Sequence, residues 1–139
     1  MATVITEYQH AWHVRVYYED TDSGGVVYHS NYLNFMERAR TEWLRMQGFE
    51  QPDLKQNLHI VFVVHSMSID FKKPAKFNDL LAVQSQLIKV GHSSLVFLQK
   101  ITLNNQVLVQ AQVKLACVSA ITFKPVVIPK SVLIKMESV

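Results

Sequence analysis

Residues 14–45, VRVYYEDTDSGGVVYHSNYLNFMERARTEWLR, decide the fold. Two different periodicities meet in this stretch. Apolar and polar residues alternate from Trp12 to Tyr18, which predicts a first strand. Beyond an acidic, glycine-containing turn, apolar residues recur three and four positions apart, which predicts one long helix over about 30–47. The stretch therefore predicts a strand, a tight polar turn and a helix in direct succession.

The predicted helix has a broad apolar face that is rich in aromatic side chains. Its apolar positions are Tyr32, Phe35, Met36, Ala39, Trp43, Leu44 and Met46. Such a face is expected on a helix that a sheet largely covers. Ser30 or Asn31 is the expected N-cap, and Gly48 is expected to end the helix in a left-handed conformation.

The chain after the helix is dominated by a period of two, which predicts strands. A short helical turn is expected at 52–56 and a C-terminal helical segment at about 129–136. Between them the pattern predicts strands at 59–71, 80–90, 94–103 and about 107–117, with a hairpin turn at Asn104-Asn105. In the strand over 59–71 the residues expected on one inward face are Val61, Val63, His65, Met67, Ile69 and Phe71.

This order of elements predicts an α+β fold. One helix covers only one face of a five-stranded sheet, so the economical packing curls an antiparallel sheet around the helix. The length of 139 residues predicts a single domain over 1–139. The outer face and the long edges of such a sheet are expected to need a partner chain.

The composition excludes several classes of protein. Hydrophobic residues make up 49% and charged residues 18%, which is typical of a folded chain. A formal net charge of +3 is too small to indicate a nucleic-acid partner. A single cysteine allows neither an internal disulfide nor a cysteine-based zinc site. Because no basic region precedes an apolar run at the N-terminus and no apolar run approaches ~20 residues, we expect no signal peptide, no transmembrane segment and a cytoplasmic location.

The turn before the helix carries the densest chemistry. Glu19, Asp20 and Asp22 lie within four positions, and Gly24-Gly25 follow. Glycine allows a positive φ or a close approach of the backbone to a ligand. A helix N-terminus offers free N–H groups that polarise a carbonyl oxygen, and a nearby carboxylate can act as nucleophile or as general base for water. These parts suffice to hydrolyse an activated acyl group.

Two other interpretations of the same turn stay open on the residues alone. The acid side chains could simply cap the turn and the helix. Alternatively, Glu19, Asp20, Asp22 and His29 could hold a magnesium ion, since Mg²⁺ prefers oxygen ligands.

The motif DTDSGGVVYHSNYLNFMERAR at 20–40 resembles the signature of the 4-hydroxybenzoyl-CoA thioesterase family, in particular its Tol-Pal-associated acyl-CoA thioesterase (YbgC-type) branch. FKKPAKFNDLL and GHSSLVF match more weakly. The resemblance covers essentially the whole chain and implies the hotdog fold, in which an antiparallel sheet wraps a long helix. It also implies hydrolysis of acyl-CoA to free acid and CoA, with no cofactor and no metal, because coenzyme A is part of the substrate.

The resemblance assigns roles to particular residues. Asp22 is implied as the catalytic carboxylate, and the backbone N–H of His29 as the group that polarises the thioester carbonyl. The His29 side chain and Tyr18 are further implied members of the active site. The candidate substrate-binding residues are Gly25, Val26, Tyr32, His65, Lys89, Ser93 and Ser94, and Lys72, Lys73 and Lys76 are additional candidates for the phosphates of coenzyme A. For His65, a packed or hydrogen-bonded histidine is the favoured interpretation, and a role in the substrate pocket is the alternative.

Two rival functions are considered beside acyl-CoA hydrolysis. One is hydrolysis of acyl-carrier-protein thioesters on the same fold, with an acyl carrier protein as partner. The other is a non-catalytic scaffold subunit that binds acyl-CoA. The resemblance further implies a homodimer or homotetramer with active sites at subunit interfaces.

Overall fold

The computed structural model describes residues 10–137. In chain order they form strand β1 (His10–Arg15), a 3-10 turn (Tyr18–Asp20), helix α1 (His29–Met46), short helix α2 (Gln51–Asp53) continued by a π turn (Leu54–Leu58), strands β2 (Ile60–Phe71), β3 (Leu80–Val90), β4 (Ser94–Leu103) and β5 (Gln106–Ser119), and helix α3 (Lys130–Glu137). The predicted strands and the long helix are thus confirmed, with small differences at their ends. The expectation about a signal peptide concerns residues outside the described range. Within 10–137, none of the helices is both long and apolar enough to span a membrane.

All the strands belong to one antiparallel sheet in the order β1-β3-β4-β5-β2. Strands β3, β4 and β5 follow one another as a meander. At the β4–β5 turn, Asn104 and Asn105 have φ of 49° and 65°, as a two-residue hairpin of this kind requires. Strands β1 and β2 form the two edges of the sheet, so among residues 10–137 each has one side without a neighbouring strand.

Helix α1 buries its apolar stripe against the inner face of the sheet. Phe35, Ala39 and Trp43 are buried, because their spacing places them on one side of the helix. Trp43 packs edge-on against Phe97 of β4, with the ring centroids 5.0 Å apart. Gly48 follows the helix with a φ of 91°, as predicted. The predicted α+β architecture is therefore confirmed.

The predicted end of β1 is wrong. The strand ends at Arg15, and Tyr18 belongs to the 3-10 turn that follows. The turn forms because the Asp20 carboxylate accepts the backbone N–H of Tyr17 at 2.9 Å, which folds the chain back before the alternation is complete.

The predicted start of α1 is also wrong by one residue. Neither Ser30 nor Asn31 is the N-cap, since the helix already begins at His29 and Tyr28 precedes it in an extended conformation without a side-chain cap. Met46, predicted on the buried face, is 64% exposed in the last turn. The apolar stripe therefore ends before the helix does.

A β-bulge at His65 exchanges the two faces of β2. The ladder to β5 skips His65, between Val64 and Ser66. After the bulge the inner-face residues are Met67, Ile69 and Phe71, whereas before it Val61 and Val63 pair with the outer face of β5. The expectation of one continuous inward face is therefore wrong ahead of the bulge, because a slip of one residue reverses every side chain. His65 itself is exposed and not packed in the core.

Helix α1 also buries an arginine whose burial the apolar periodicity did not predict. Arg40 is only 6% exposed, and its Nη1 donates to Gln99 Oε1 at 3.0 Å. Gln99 Nε2 donates in turn to Met36 O at 3.0 Å and to Ser85 Oγ at 2.9 Å. Burial lowers the pKa of the Arg40 guanidinium. A buried polar network therefore ties the helix to β3 and β4.

Candidate active site

The turn between β1 and α1 folds into a small hairpin of its own. The backbone N–H of Asp22 donates to Val26 O at 2.9 Å, and the N–H of Gly25 donates to Asp22 O at 3.0 Å. Val26 forms a β-bridge to Lys76, in the segment between β2 and β3. Asp22 is therefore held opposite the residues that lead into the helix.

The carboxylates of Asp20 and Asp22 in this turn differ in the hydrogen bonds that they accept. Both carboxylate oxygens of Asp20 accept internal bonds, from Tyr17 N–H at 2.9 Å and from Asn31 Nδ2 at 2.8 Å. Asp22 Oδ1 accepts the N–H of Gly24 at 2.8 Å, while no residue within 10–137 donates to its Oδ2. Asp20 thus shapes the turn, and Asp22 keeps one oxygen available for chemistry.

The first turn of α1 offers backbone N–H groups. Those of His29 and Ser30 have no backbone acceptor among the described residues, whereas the N–H of Asn31 donates to Tyr28 O at 2.9 Å. The first turn carries no acidic side chain, so nothing within the helix neutralises its positive end. This end of the helix is suited to stabilise an oxygen that gains negative charge.

A cleft of about 210 Å³ lies beside the start of α1. Its lining residues are Val26, Val27, His29, Tyr32, Phe71, Lys72, Lys73 and Pro74. The Phe71 ring lies 4.9 Å from the His29 ring and 5.7 Å from the Tyr32 ring, measured between centroids. The cleft combines an aromatic wall with two cationic side chains, which suits a ligand with an apolar part and an anionic part.

Tyr32 ties the helix to the far wall of the cleft. Its hydroxyl accepts the backbone N–H of Ala75 at 2.9 Å. Burial raises the pKa of Tyr32; the hydrogen bond from Ala75 acts in the opposite direction, and the negative charges of Asp79 and Asp22 add to the increase. The hydroxyl therefore stays neutral and positions the 72–76 segment, while the ring contributes to the wall.

The structure brings together some of the predicted site residues. His29, Val26 and Tyr32 line the cleft, and Gly25 lies in the hairpin that supports it, with a φ of 81°. Lys72 and Lys73 are also in the cleft lining, as considered for the phosphates of coenzyme A. Phe71 is the wall residue that the sequence analysis missed, although its place at the inward end of a predicted strand was a usable signal.

Tyr18 is not brought into the cleft. Its side chain is 74% exposed, and its ring stacks on that of Phe77 with centroids 3.7 Å apart and planes 4° from parallel. This stacking partner was not predicted, because nothing in the sequence shows that the 72–79 segment passes beside the 3-10 turn.

Lys89, Ser93 and Ser94 lie at the opposite end of the sheet within this chain. Phe71 and Ile101 of β4 lie at the same height in the sheet, because both pair with the same residue of the intervening strand β5. Ser94 precedes Ile101 by seven residues of extended strand, or roughly 23 Å. These residues therefore do not share a cleft with His29 of the same chain. Asp22 itself is not among the lining residues and lies in the adjoining hairpin.

The residues of the magnesium interpretation do not come together in the described part of the chain. Among residues 10–137, no three His, Cys, Asp or Glu side chains come together in a group able to hold a metal ion. The carboxylates of the turn instead bond to backbone and side-chain N–H groups, as described above for Asp20 and Asp22.

An added methyl group should have different effects at the two glycines of the hairpin. A Cβ at Gly24 would lie 3.2 Å from Asp22 Oδ1, so Gly24→Ala should displace the carboxylate and lower kcat about tenfold or more. A Cβ at Gly25 meets open space, but the φ of 81° should make Gly25→Ala cost about 1 kcal/mol in the free energy of unfolding. Steady-state kinetics and urea unfolding of both variants check this, and equal losses of kcat would contradict the assignment of Gly24 to the carboxylate.

Comparison with known proteins agrees with this geometry. Residues 24–110 match the family model of the thioesterase superfamily. The chain is 48% identical over 119 residues to the acyl-CoA thioesterase YbgC of Haemophilus influenzae, covering 86% of this chain and 88% of that protein. It is 43% identical over 127 residues to the acyl-CoA thioester hydrolase YbgC of Escherichia coli, covering 91% and 94%.

A solved structure is similar over most of the fold. The crystal structure of a probable thioesterase from Bartonella henselae superposes with a TM-score of 0.84 at 35% identity, covering 88% of this chain and 100% of that chain. Family model, sequence relatives and fold therefore agree. The chain belongs to the thioesterase superfamily, in the branch of the YbgC acyl-CoA thioesterases.

Proposed function

We propose that this acyl-CoA thioesterase hydrolyses its substrate in the cleft at the start of α1, with Asp22 as the catalytic carboxylate. One observation carries the proposal. A short hairpin carries a carboxylate whose Oδ2 receives no hydrogen bond from residues 10–137 and leads directly into the N–H groups of His29 and Ser30, which have no acceptor among the same residues; His29 lines the cleft with the aromatic wall.

In the proposed mechanism the thioester carbonyl oxygen accepts the N–H of His29, which stabilises the negative charge that develops there. Asp22 Oδ2 either attacks the carbonyl carbon or removes a proton from an attacking water. Attack by Asp22 expels the CoA thiolate and leaves a mixed anhydride, which water then hydrolyses. Attack by water leads directly to the acid and the thiolate. Both routes yield the free acid and CoA.

The proposal assigns smaller roles to the neighbouring side chains. The Gly24 N–H holds Oδ1 and so directs Oδ2 of Asp22. The His29 imidazole packs edge-on against Phe71, which suits a group that lines the cleft and orients the substrate. Lys72 and Lys73 are positioned to pair with the phosphates of coenzyme A. Tyr18, outside the cleft of its own chain, stays a predicted member of the site.

We further propose a homodimer formed along the free edge of β2. Val64 and Phe71, whose β5 partners lie on the inner face, are 50% and 45% exposed, so α1 of the same chain covers this edge only in part. A second copy pairing antiparallel along β2 would extend the sheet and bury them. Residues at the far end of the partner's sheet, such as the 91–94 turn, would thereby approach this cleft. Assembly into a tetramer and the cytoplasmic location stay predictions.

A panel of acyl-CoA substrates tests the activity. With a thiol reagent present, we expect release of free CoA that saturates with substrate concentration, and a preference among chain lengths. Burial raises the pKa of the Cys117 thiol to about 11, so the protein itself should contribute little to the signal. Binding without thiol release would favour the scaffold function, and faster turnover of acyl-carrier-protein thioesters would favour that substrate.

A further inference from the structure

We infer that His65 of the partner subunit binds the substrate at the cleft formed around His29 and Phe71. The inference rests on the proposed thioesterase site and on the proposed pairing of two β2 strands. In this inference His65 binds the substrate of the other subunit, because it does not reach the cleft of its own chain.

His65 occupies an unusual position in the described fold. It is the extra residue of the β-bulge, it lies on the free edge of the sheet, and its side chain is exposed. Within residues 10–137 no hydrogen bond, ion pair or ring contact involves its imidazole. Bulges at sheet edges re-aim a side chain or end the pairing, so this position is suited to present a group to another molecule.

The bulge also determines where two β2 strands can pair. Regular pairing requires uninterrupted alternation, and of the two regular segments on either side of the bulge, 60–64 and 66–71, the longer is 66–71. Residues opposite each other in antiparallel strands point to the same face, so a two-fold axis within this segment, at residue 68 or 69, places residue 71 of one strand opposite residue 65 or 67 of the other. Phe71, whose ring forms the wall of the cleft, is therefore opposite the partner's His65 or two residues away from that position.

This register brings the partner's His65 to the cleft. Paired strands lie about 4.8 Å apart and successive residues about 3.3 Å apart. The partner's His65 therefore lies opposite Phe71 or Lys73, which both line the cleft. Lys72 and Lys73 are already suited to the phosphates of coenzyme A. The His65 imidazole can donate or accept a hydrogen bond, so it suits the amide groups of the pantetheine arm.

The first test measures substrate binding by His65 variants of the full-length protein. His65→Ala should raise KM for acyl-CoA about fivefold, the value of one neutral hydrogen bond, with kcat changed less than about twofold. His65→Gln should recover part of this loss, because it keeps a donor and an acceptor. His13→Ala is the matched control, since His13 is an exposed strand histidine on the opposite edge, and its KM should not change.

The second test asks whether His65 acts on the partner's site. A mixed dimer, isolated with two different affinity tags, combines an Asp22→Asn chain that keeps His65 with a His65→Ala chain that keeps Asp22. Its one active site pairs the intact Asp22 with the His65 of the other chain. We expect the KM of the wild type, as in a control dimer of Asp22→Asn with wild type.

Several results would overturn the inference. The mixed dimer could show the raised KM of the His65→Ala homodimer, which would place His65 in the site of its own chain. An unchanged KM in the His65→Ala homodimer, or a wild-type protein that sediments as a monomer while active, would overturn it too. Each of these outcomes leaves the proposed function intact. That function fails only if the wild type releases no CoA or if Asp22→Asn retains its activity.

Discussion

Asp22→Asn should lower kcat for acyl-CoA about a thousandfold and leave the fold unchanged. Asparagine has the same shape, and its side-chain oxygen can still accept the N–H of Gly24, so the hairpin should persist. The amide that replaces Oδ2 is neither a nucleophile nor a base, and losing such a group costs about two to four orders of magnitude. Steady-state kinetics on the preferred acyl-CoA give the ratio, and urea unfolding shows whether stability has changed.

Asp20→Asn is the matched control for this experiment. Asp20 lies two residues away, and both its oxygens already bind Tyr17 and Asn31. An amide nitrogen would replace one of these acceptors, so we expect a loss of about 1–2 kcal/mol in the free energy of unfolding. The kcat should change far less than in Asp22→Asn. If Asp22→Asn keeps its turnover within a few-fold of wild type, Asp22 is not the catalytic carboxylate.

Gln99→Leu should be strongly destabilising, by about 3 kcal/mol or more in the free energy of unfolding. It removes the acceptor of the buried Arg40 guanidinium and the donor to Met36 O and Ser85 Oγ. Leaving a buried charge without its partner costs about 3–5 kcal/mol in other proteins. Urea unfolding at fixed protein concentration measures the change, because the stability of the proposed dimer would depend on concentration.

The double variant Arg40→Leu/Gln99→Leu separates this cause from a general loss of packing. Replacing a buried polar pair by apolar side chains of similar size is often close to neutral. We therefore expect the double variant to be more stable than Gln99→Leu alone. Additive losses would show that Arg40 and Gln99 do not depend on each other.

Local periodicity was enough to predict most of the fold. The apolar spacing in α1 predicted the buried residues Phe35, Ala39 and Trp43, because a helix of this period has only one side to bury. The alternation in β3, β4 and β5 predicted the meander, and Asn104-Asn105 predicted its second turn. These features depend on residues that are close in the sequence.

Periodicity failed where a distant contact decides the conformation. The bulge at His65 depends on the ladder with β5, so the pattern of β2 alone predicted the wrong face for Val61 and Val63. The burial of Arg40 depends on Gln99, which follows it by 59 residues. No local pattern contains either contact.

In the candidate site, too, some features are determined by the local sequence and others by distant contacts. The motif at 20–40 by itself determined the family and the candidates Asp22 and His29, because the hairpin and the helix start that it forms are local in the chain. Only the tertiary structure placed Phe71, Lys72 and Lys73 in one cleft with His29, and separated Lys89 and Ser94 from this cleft by the length of a strand. The reason is physical: local hydrogen bonds shape the hairpin, whereas the walls of the cleft are determined by how the sheet curls around α1, which depends on every strand.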